Sequence, residues 1–251
     1  METGCPDTMG NARDFWEKMA NEDAESSVID PYDKRGNKID YICQLRNRLM
    51  LAELQDLQPG SLILDFGCGN GDLSRKLYQN SYSPVGIDIT YPLLRYAGQQ
   101  SSGPRKRFIQ FDGLRIPSAS RVFDAVITHL VLNYVADDTH LQSVLAEMHR
   151  VLKPSGKLIA IEQVRRSDTF QKEKRQRTVT DFSELFHAAS FTEEKIKIVR
   201  RGHFPLIYLI RYGFIPRSLY QQVSAFESWL GRRFPEPRFD YADCLFVYRK
   251  K

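Results

Sequence analysis

Between residues 61 and 164 the chain alternates short apolar runs with stretches whose apolar residues recur every three to four positions. SLILDFG (61–67), PVGIDIT (84–90) and KRFIQFDG (106–113) have strand length, VFDAVITHLVLNYV (122–135) opens as a fourth strand, and KLIAIEQV (157–164) is a fifth. Between them GDLSRKLYQN and YPLLRYAGQQ read as helices, the second with Pro92 near its first turn. DDTHLQSVLAEMHRVL places Leu141, Val144, Leu145, Met148, Val151 and Leu152 on one helical face, and KPSG ends it. Strict alternation of strand and helix predicts parallel strands joined by crossover helices. The expected class is therefore α/β, a Rossmann-like doubly wound sheet.

After residue 164 the rhythm changes. RRSDTFQKEKRQR (165–177) is polar and basic and is expected to be an exposed linker. DFSELFHAAS reads as a helix, with Asp181 and Glu184 spaced for a capping box. EEKIKIVRR and FDYADCLFVYRK read as two more strands. The aromatic, helix-like segment between them is too long for a hairpin turn. The chain divides accordingly into an N-terminal helical cap (1–58), a core (59–202 with 239–251) and an insertion (203–238).

Composition narrows the class. A length of 251 residues fits one large domain, or one domain with an elaborated insertion, and an apolar content of 42% supplies its core. Cys5, Cys43, Cys68 and Cys244 are far apart and show no CxxC spacing, so reduced thiols are expected and neither a disulfide frame nor a metal site. The first twenty residues hold no apolar h-region, and no run approaches the roughly 20 apolar residues that span a bilayer. A cytoplasmic location is expected. The net charge of +5 is small enough for an ordinary solvated surface and does not by itself call for a nucleic-acid or membrane partner.

The chemistry gathers at LDFGCGNG. Glycines at this density after a strand bring main chain close to a ligand. A P-loop would need GxxxxGK[ST], and no lysine follows here. Gly67-Cys68-Gly69-Asn70-Gly71 is GxGxG, not the GxGxxG of dinucleotide folds. Asp65, two residues before the first glycine, suits a cationic ligand such as S-adenosylmethionine and opposes a pyrophosphate. Asp88, 17 residues beyond Gly71, can accept from both ribose hydroxyls, which suits either cofactor. In FDG, Asp112 can accept from an adenine amino group beside Gly113, and Ile89 can lie on the purine face.

These motifs, with LAEMHRVLKPSGKLIAIE after the fourth strand, stand in the order and spacing of a known family. Residues 61–164 resemble a class I S-adenosylmethionine-dependent methyltransferase of the small-molecule, type 11-like group, to which ubiquinone and menaquinone methyltransferases are similar. The resemblance covers about two-fifths of the chain. It implies a seven-stranded sheet whose last strand runs antiparallel between the fifth and sixth, and S-adenosyl-L-methionine as cofactor. It also implies an acceptor at the C-terminal ends of strands four and five, where the switch-point rule puts a ligand as well.

His129, at the end of strand four, is the candidate base, since a hydroxyl acceptor is best served by a base poised near neutrality. Its alternative is a packing or cofactor-side residue. Glu162, Gln163, His203 and Tyr208 are substrate candidates. In similar enzymes an N-terminal helix and a tyrosine close over the methionine end of the cofactor, a role that falls here to Tyr32. The 203–238 insertion reads as a lid, a homodimer contact or a surface for a lipid-linked acceptor at a membrane periphery. THLVLNYV stands where DNA amino-methyltransferases carry [DN]PP[YF], which argues against a nucleic-acid acceptor. The expected activity is methyl transfer to a small molecule, at oxygen, in glycan, lipid or secondary-metabolite synthesis. The alternatives are a non-catalytic binder of the cofactor, a methyltransferase of protein or nucleic acid, and a nicotinamide dehydrogenase.

Overall fold

A computed structural model of the protein describes residues 8–22, 33, 35–101, 107–171, 174–202, 204–233 and 240–251. Two helices, α1 (Thr8–Glu22) and α2 (Asn37–Ala52), precede the sheet. Then β1 (Leu62–Phe66), α3 (Asp72–Gln79), β2 (Ser83–Asp88), α4 (Tyr91–Gln100), β3 (Phe108–Gln110), β4 (Phe123–His129), α5 (Asp138–Val151) and β5 (Leu152–Val164) alternate as the apolar pattern requires. A small hairpin, β6 (Thr169–Gln171) and β7 (Lys174–Gln176), leads to α6 (Val179–Ala188) and β8 (Phe191–Arg201). α7 (Pro205–Arg211), α8 (Tyr220–Arg233) and β9 (Ala242–Lys250) follow.

The main sheet has seven strands in the order β3-β2-β1-β4-β5-β9-β8. β9 pairs antiparallel with both β5 and β8, and the other pairings are parallel. The strand order reverses beside β1, between β2 and β4, which opens a crevice at the C-terminal ends of those strands. The parallel strands inside the sheet, β1, β2, β4 and β5, are largely buried on both faces, which is why they read as continuous apolar runs, whereas β3 at the edge is exposed.

One face carries Leu64, Phe66 and Val126 and packs against Leu141, Leu145 and Met148 of α5 and Phe182 and Phe186 of α6. The opposite face carries Ile63, Ala125 and Ile127 and packs against Met50 of α2, Leu54 just beyond it, and Leu73 and Leu77 of α3. A third cluster joins Tyr41 of α2 to Ile207, Ile210, Tyr220 and Val223 of α7 and α8. The insertion is thus anchored on α2.

Two expectations are corrected. The basic 165–177 segment is not a plain exposed linker. It holds the β6–β7 hairpin, and Arg177 is fully buried. The Arg177 guanidinium donates to the carbonyls of Val135 (2.8 Å) and Ala136 (3.0 Å) and pairs with Asp138 (2.8 Å). Five donors in a rigid fork suit a loop whose carbonyls turn inward. The capping box of α6 lies three residues earlier than the spacing suggested. Thr178 is the N-cap, its hydroxyl accepts from Asp181 N (3.1 Å), and the Asp181 carboxylate accepts from Thr178 N (2.9 Å).

Candidate active site

The glycine loop is a backbone device. Gly67, Gly69 and Gly71 have φ of 71°, 51° and 75°, the left-handed region that glycine enters at little cost. A Cβ on Gly67 would come within 2.3 Å of Val131, and one on Gly71 within 2.8 Å of Ala97. The loop is tied to β2, because Gly67 N (2.8 Å) and Cys68 N (3.0 Å) both donate to Ile87 O. Asp88 completes the tie, its carboxylate accepting from Gly69 N and Thr90 N, each at 2.9 Å. A carboxylate has about four lone-pair sites, so Asp88 keeps acceptor capacity for a diol. Burial raises its pKa, and the two N–H bonds oppose that rise.

Asp65 is buried, accepts from Ser74 Oγ (2.6 Å) and is pushed up to about 6 by burial. Asp72, in the first turn of α3, accepts from Arg46 Nη2 (2.5 Å) and Asn47 Nδ2 (3.1 Å). Three carboxylates therefore surround the loop. A pyrophosphate there would meet like charge, whereas a cofactor bearing sulfonium and ammonium groups meets opposite charge. The residues present fit S-adenosylmethionine on that ground. The Cys68 thiol is buried and its pKa pushed well up, so it stays protonated.

Towards β3, Ile89 is half-buried against the core. Asp112 is exposed and accepts from Leu114 N and Arg115 N (2.8 Å each), an Asx-type turn that lowers its pKa and leads through Gly113 at φ 90°. α1 reaches across this edge. Arg13 Nη2 lies 3.5 Å from the carbonyls of Phe111 and Asp112, and Trp16 stands edge-on to Tyr134 at 5.3 Å. Tyr32 and His203 lie outside the described residues.

Beyond β4 the chain bends sharply. Leu130 is a non-glycine residue at φ 57°, an uncommon conformation that concentrates at functional sites. Glu162 holds the bend. Its Oε1 accepts from Val131 N and Leu132 N (2.9 Å each) and its Oε2 from Asn133 Nδ2 (3.0 Å). It is fully buried, and burial pushes its pKa up to about 7. Gln163 accepts from Gln176 Nε2 at 2.9 Å. Tyr208 is exposed on α7.

Register sets Thr128 beside Phe66, so His129 stands level with the start of the glycine loop. His129 is half-buried and lines a small cavity with Ile42, Leu45 and Arg46 of α2, Ile161 and Asp243. Burial is the main cause that lowers its pKa well below the usual value, and Arg46 and Arg200 add to it. It is therefore neutral at pH 7, able to take a proton but weaker than the near-neutral base expected from sequence. Asp243 is 4% exposed. Its Oδ2 accepts from Arg200 Nε (2.7 Å), and its Oδ1 has no hydrogen-bond partner. A buried carboxylate oxygen left open beside a neutral imidazole is a place for a donor.

The model of the family described as "Methyltransferase domain" matches residues 64–160. That span runs from β1 through β5 and holds the glycine loop, Asp88, the Leu130 bend and His129. Residues 64–160, about two-fifths of the chain, are what is similar to that family. Around this span the likeness thins. The demethylmenaquinone methyltransferase of Thermus thermophilus is 30% identical over 141 residues, which are 55% of this chain and 63% of that protein. The malonyl-[acyl-carrier protein] O-methyltransferase of Pseudescherichia vulneris is 32% identical over 108 residues, 43% of this chain and 41% of that protein. The chain thus spans less than two-thirds of the length of either relative.

Among solved structures, the geranyl diphosphate C-methyltransferase of Streptomyces coelicolor, in complex with Mg2+, geranyl diphosphate and S-adenosyl-L-homocysteine, matches with a TM-score of 0.68 at 11% identity. Both chains are covered in full. A likeness at that identity speaks for the fold.

Around the matched span the structure adds residues that sequence reasoning missed. Arg46, Asp72, Arg200 and Asp243 sit in segments that read only as the helical cap, a helix and two strands, and no spacing links α2 to β9. Lys174, on the hairpin, lies 3.4 Å from Gln163 Oε1, and burial lowers its pKa. Only pairing β6 with β7 brings it to the end of β5.

Proposed function

We propose that the protein transfers a methyl group from S-adenosylmethionine to a small-molecule acceptor, at oxygen. The observation that carries the reading is the three-glycine, left-handed loop pinned by Asp88 and flanked by Asp65 and Asp72. Asp88, Ile89 and Asp112 would hold the nucleoside, and Gly67 to Gly71 the amino-acid end. Bound there, the cofactor supplies a methyl group already activated on a sulfonium. The chain's residues supply orientation, exclusion of water and the proton's destination.

The acceptor hydroxyl enters the cavity between α2 and the ends of β4 and β9. Neutral His129 takes its proton, and the open Asp243 oxygen is left to accept from a second donor group of the acceptor molecule. Glu162 holds the bend that follows His129. Tyr208 and His203, both of the insertion, remain candidate substrate residues. The Thermus relative is named for a quinone precursor and the Pseudescherichia relative for an acyl-carrier thioester, and both names support an organic acceptor.

Labelled S-adenosylmethionine incubated with the protein and a metabolite extract should pass its label to small molecules. Label found only in protein or RNA would overturn the acceptor class. Binding of S-adenosylhomocysteine without transfer to any fraction would favour the non-catalytic reading. With an acceptor in hand, His129→Ala should lower kcat by roughly 10²–10⁴-fold and leave S-adenosylhomocysteine affinity unchanged.

A further inference from the structure

The chain around the β6–β7 hairpin carries two pairs of cations with different partners. Arg175 and Arg177 are met by the carboxylates of Asp168 and Asp138. Arg165 and Lys174 meet no carboxylate among the described residues. Arg165 Nε donates to Gln176 Oε1 (2.7 Å), Gln176 Nε2 donates to Gln163 Oε1 (2.9 Å), and Lys174 Nζ donates to the same oxygen at 3.4 Å. The rest of the Arg165 fork, most of the Lys174 ammonium and the Gln163 Nε2 amide have no acceptor among those residues.

This cluster adjoins the cavity at His129. Gln163 is the register partner of Asp243, and partners on an antiparallel ladder share one face. Ile161, two residues before Gln163, lies on that face as well and lines the cavity with His129 and Asp243. In the sheet β4 stands between β1 and β5, so the cluster lies across His129 from the glycine loop. The charges here do not balance. Asp243 is neutralised by Arg200 at 2.7 Å, which leaves half-buried Arg165 and Lys174 as a surplus of positive charge. Burial, then the charge of Arg165, lower the Lys174 pKa, and Asp243 and Glu162 offset only part of that.

We propose that Arg165, Lys174 and the free amide of Gln163 hold an anionic group of the acceptor, a carboxylate or a phosphate. The inference rests on the methyl-transfer reading above and names its acceptor class, a hydroxylated anion. Ammonium, guanidinium and amide donors gather on anionic oxygens through charge-assisted bonds, and an anion between the two cations relieves their repulsion. Fixed at that end, the molecule lays its hydroxyl toward His129, and such orientation is the main aid that a sulfonium methyl transfer needs. A hairpin that needed only an anchor has one in Arg175 and Arg177, which carboxylates and the carbonyls of Val135 and Ala136 already hold.

The test is an NMR titration of the whole protein, saturated with S-adenosylhomocysteine, with benzoate, with inorganic phosphate and with neutral benzyl alcohol. At least one of the two anions should bind about tenfold or more tightly than the alcohol; benzoate alone marks a carboxylate acceptor, phosphate alone a phosphate ester. Arg165→Gln and Lys174→Gln should each weaken that binding by about tenfold or more, and Lys174→Arg should keep most of it. Lys76→Gln, at an exposed position on α3, should leave it unchanged. S-adenosylhomocysteine affinity, measured on every variant, reports folding and should not move. Neither anion binding to wild type overturns the proposal, as do glutamine variants that bind like wild type. Glutamine variants that lose S-adenosylhomocysteine instead would assign the pair to the cofactor's own carboxylate and overturn it too. Labelled methyl groups passed to a metabolite extract should enter molecules that an anion exchanger retains, and label confined to the neutral fraction overturns the acceptor class. Anion binding that needs both cations, with no transfer to any fraction, would keep the anion site and sink the methyl-transfer reading.

Discussion

Replacing Glu162 should cost the fold several kcal/mol, and the cost can be worked from its bonds. The carboxylate accepts from Val131 N and Leu132 N and takes a third bond from Asn133 Nδ2. Glu162→Ala removes all three. A buried donor left unpaired costs about 1–3 kcal/mol. Val131 is half-buried and can recover a water, so the sum should fall at about 3–6 kcal/mol. For a chain of this size, 1 kcal/mol corresponds to about 2–4 °C in Tm, so a fall of roughly 6–24 °C is expected. Glu162→Gln should recover most of it, since its oxygen can serve both N–H groups and its amide can face Asn133 Oδ1, which is buried without a partner.

A pH signature separates this from simple loss of packing. The folded pKa of Glu162, about 7, lies above the unfolded value near 4.5. Between those values the folded state holds a proton that the unfolded state has released, so stability falls as pH rises through the window. The change is on the order of 3 kcal/mol, and Glu162→Gln should flatten it. Asp65, at about 6, acts in the same direction and leaves a smaller slope. Urea melts from pH 4.5 to 8 read both quantities. A Glu162→Ala protein within about 1 kcal/mol of wild type, or a Glu162→Gln protein with the full wild-type slope, would refute the assignment.

Three further outcomes are expected. Asp88→Ala should weaken S-adenosylhomocysteine binding by about 1.5–3 kcal/mol in isothermal titration, and unchanged affinity would remove Asp88 from the site. Gly67→Ala should lower both Tm and that affinity, because its Cβ meets Val131 at 2.3 Å on a left-handed backbone; normal melts and normal binding would show that the loop adapts. Arg177→Ala should destabilise by about 3–5 kcal/mol in urea melts, with Arg177→Lys a poor rescue because a point charge cannot span the three groups, and a fully stable lysine variant would contradict this.

The fold was legible where burial is two-sided. Ile63, Leu64, Ile127 and Ile159 come from runs in which neither face needs a polar residue, and such runs announce parallel strands. The loop and Asp88 were legible because a glycine triplet and a strand-end acid keep short spacings. The rest depends on long-range pairing. Arg177 closes a basic run and Asp243 stands among the apolar residues of a strand, and only the folded chain shows that each is buried with an ion partner. The α6 cap was misplaced because Thr178, Asp181 and Glu184 lie three apart, so two capping boxes share one spacing. The aromatic insertion carries apolar residues on all sides, which hides from sequence the face that packs on Tyr41.

The position of β9 bears on how the chain is made. This strand comes last in chain order yet lies inside the sheet, with Ala242 to Tyr248 all buried between β5 and β8. While the ribosome is still adding residues before 242, β5 keeps an open hydrogen-bonding edge and β8 has no place to dock. The nascent chain can build its first five strands, glycine loop included, but cannot close the sheet until the last strand has left the exit tunnel. Closure is then a single late event, and for that interval the β5 edge is the part of the molecule that a chaperone must shield or that another unfinished chain can pair with.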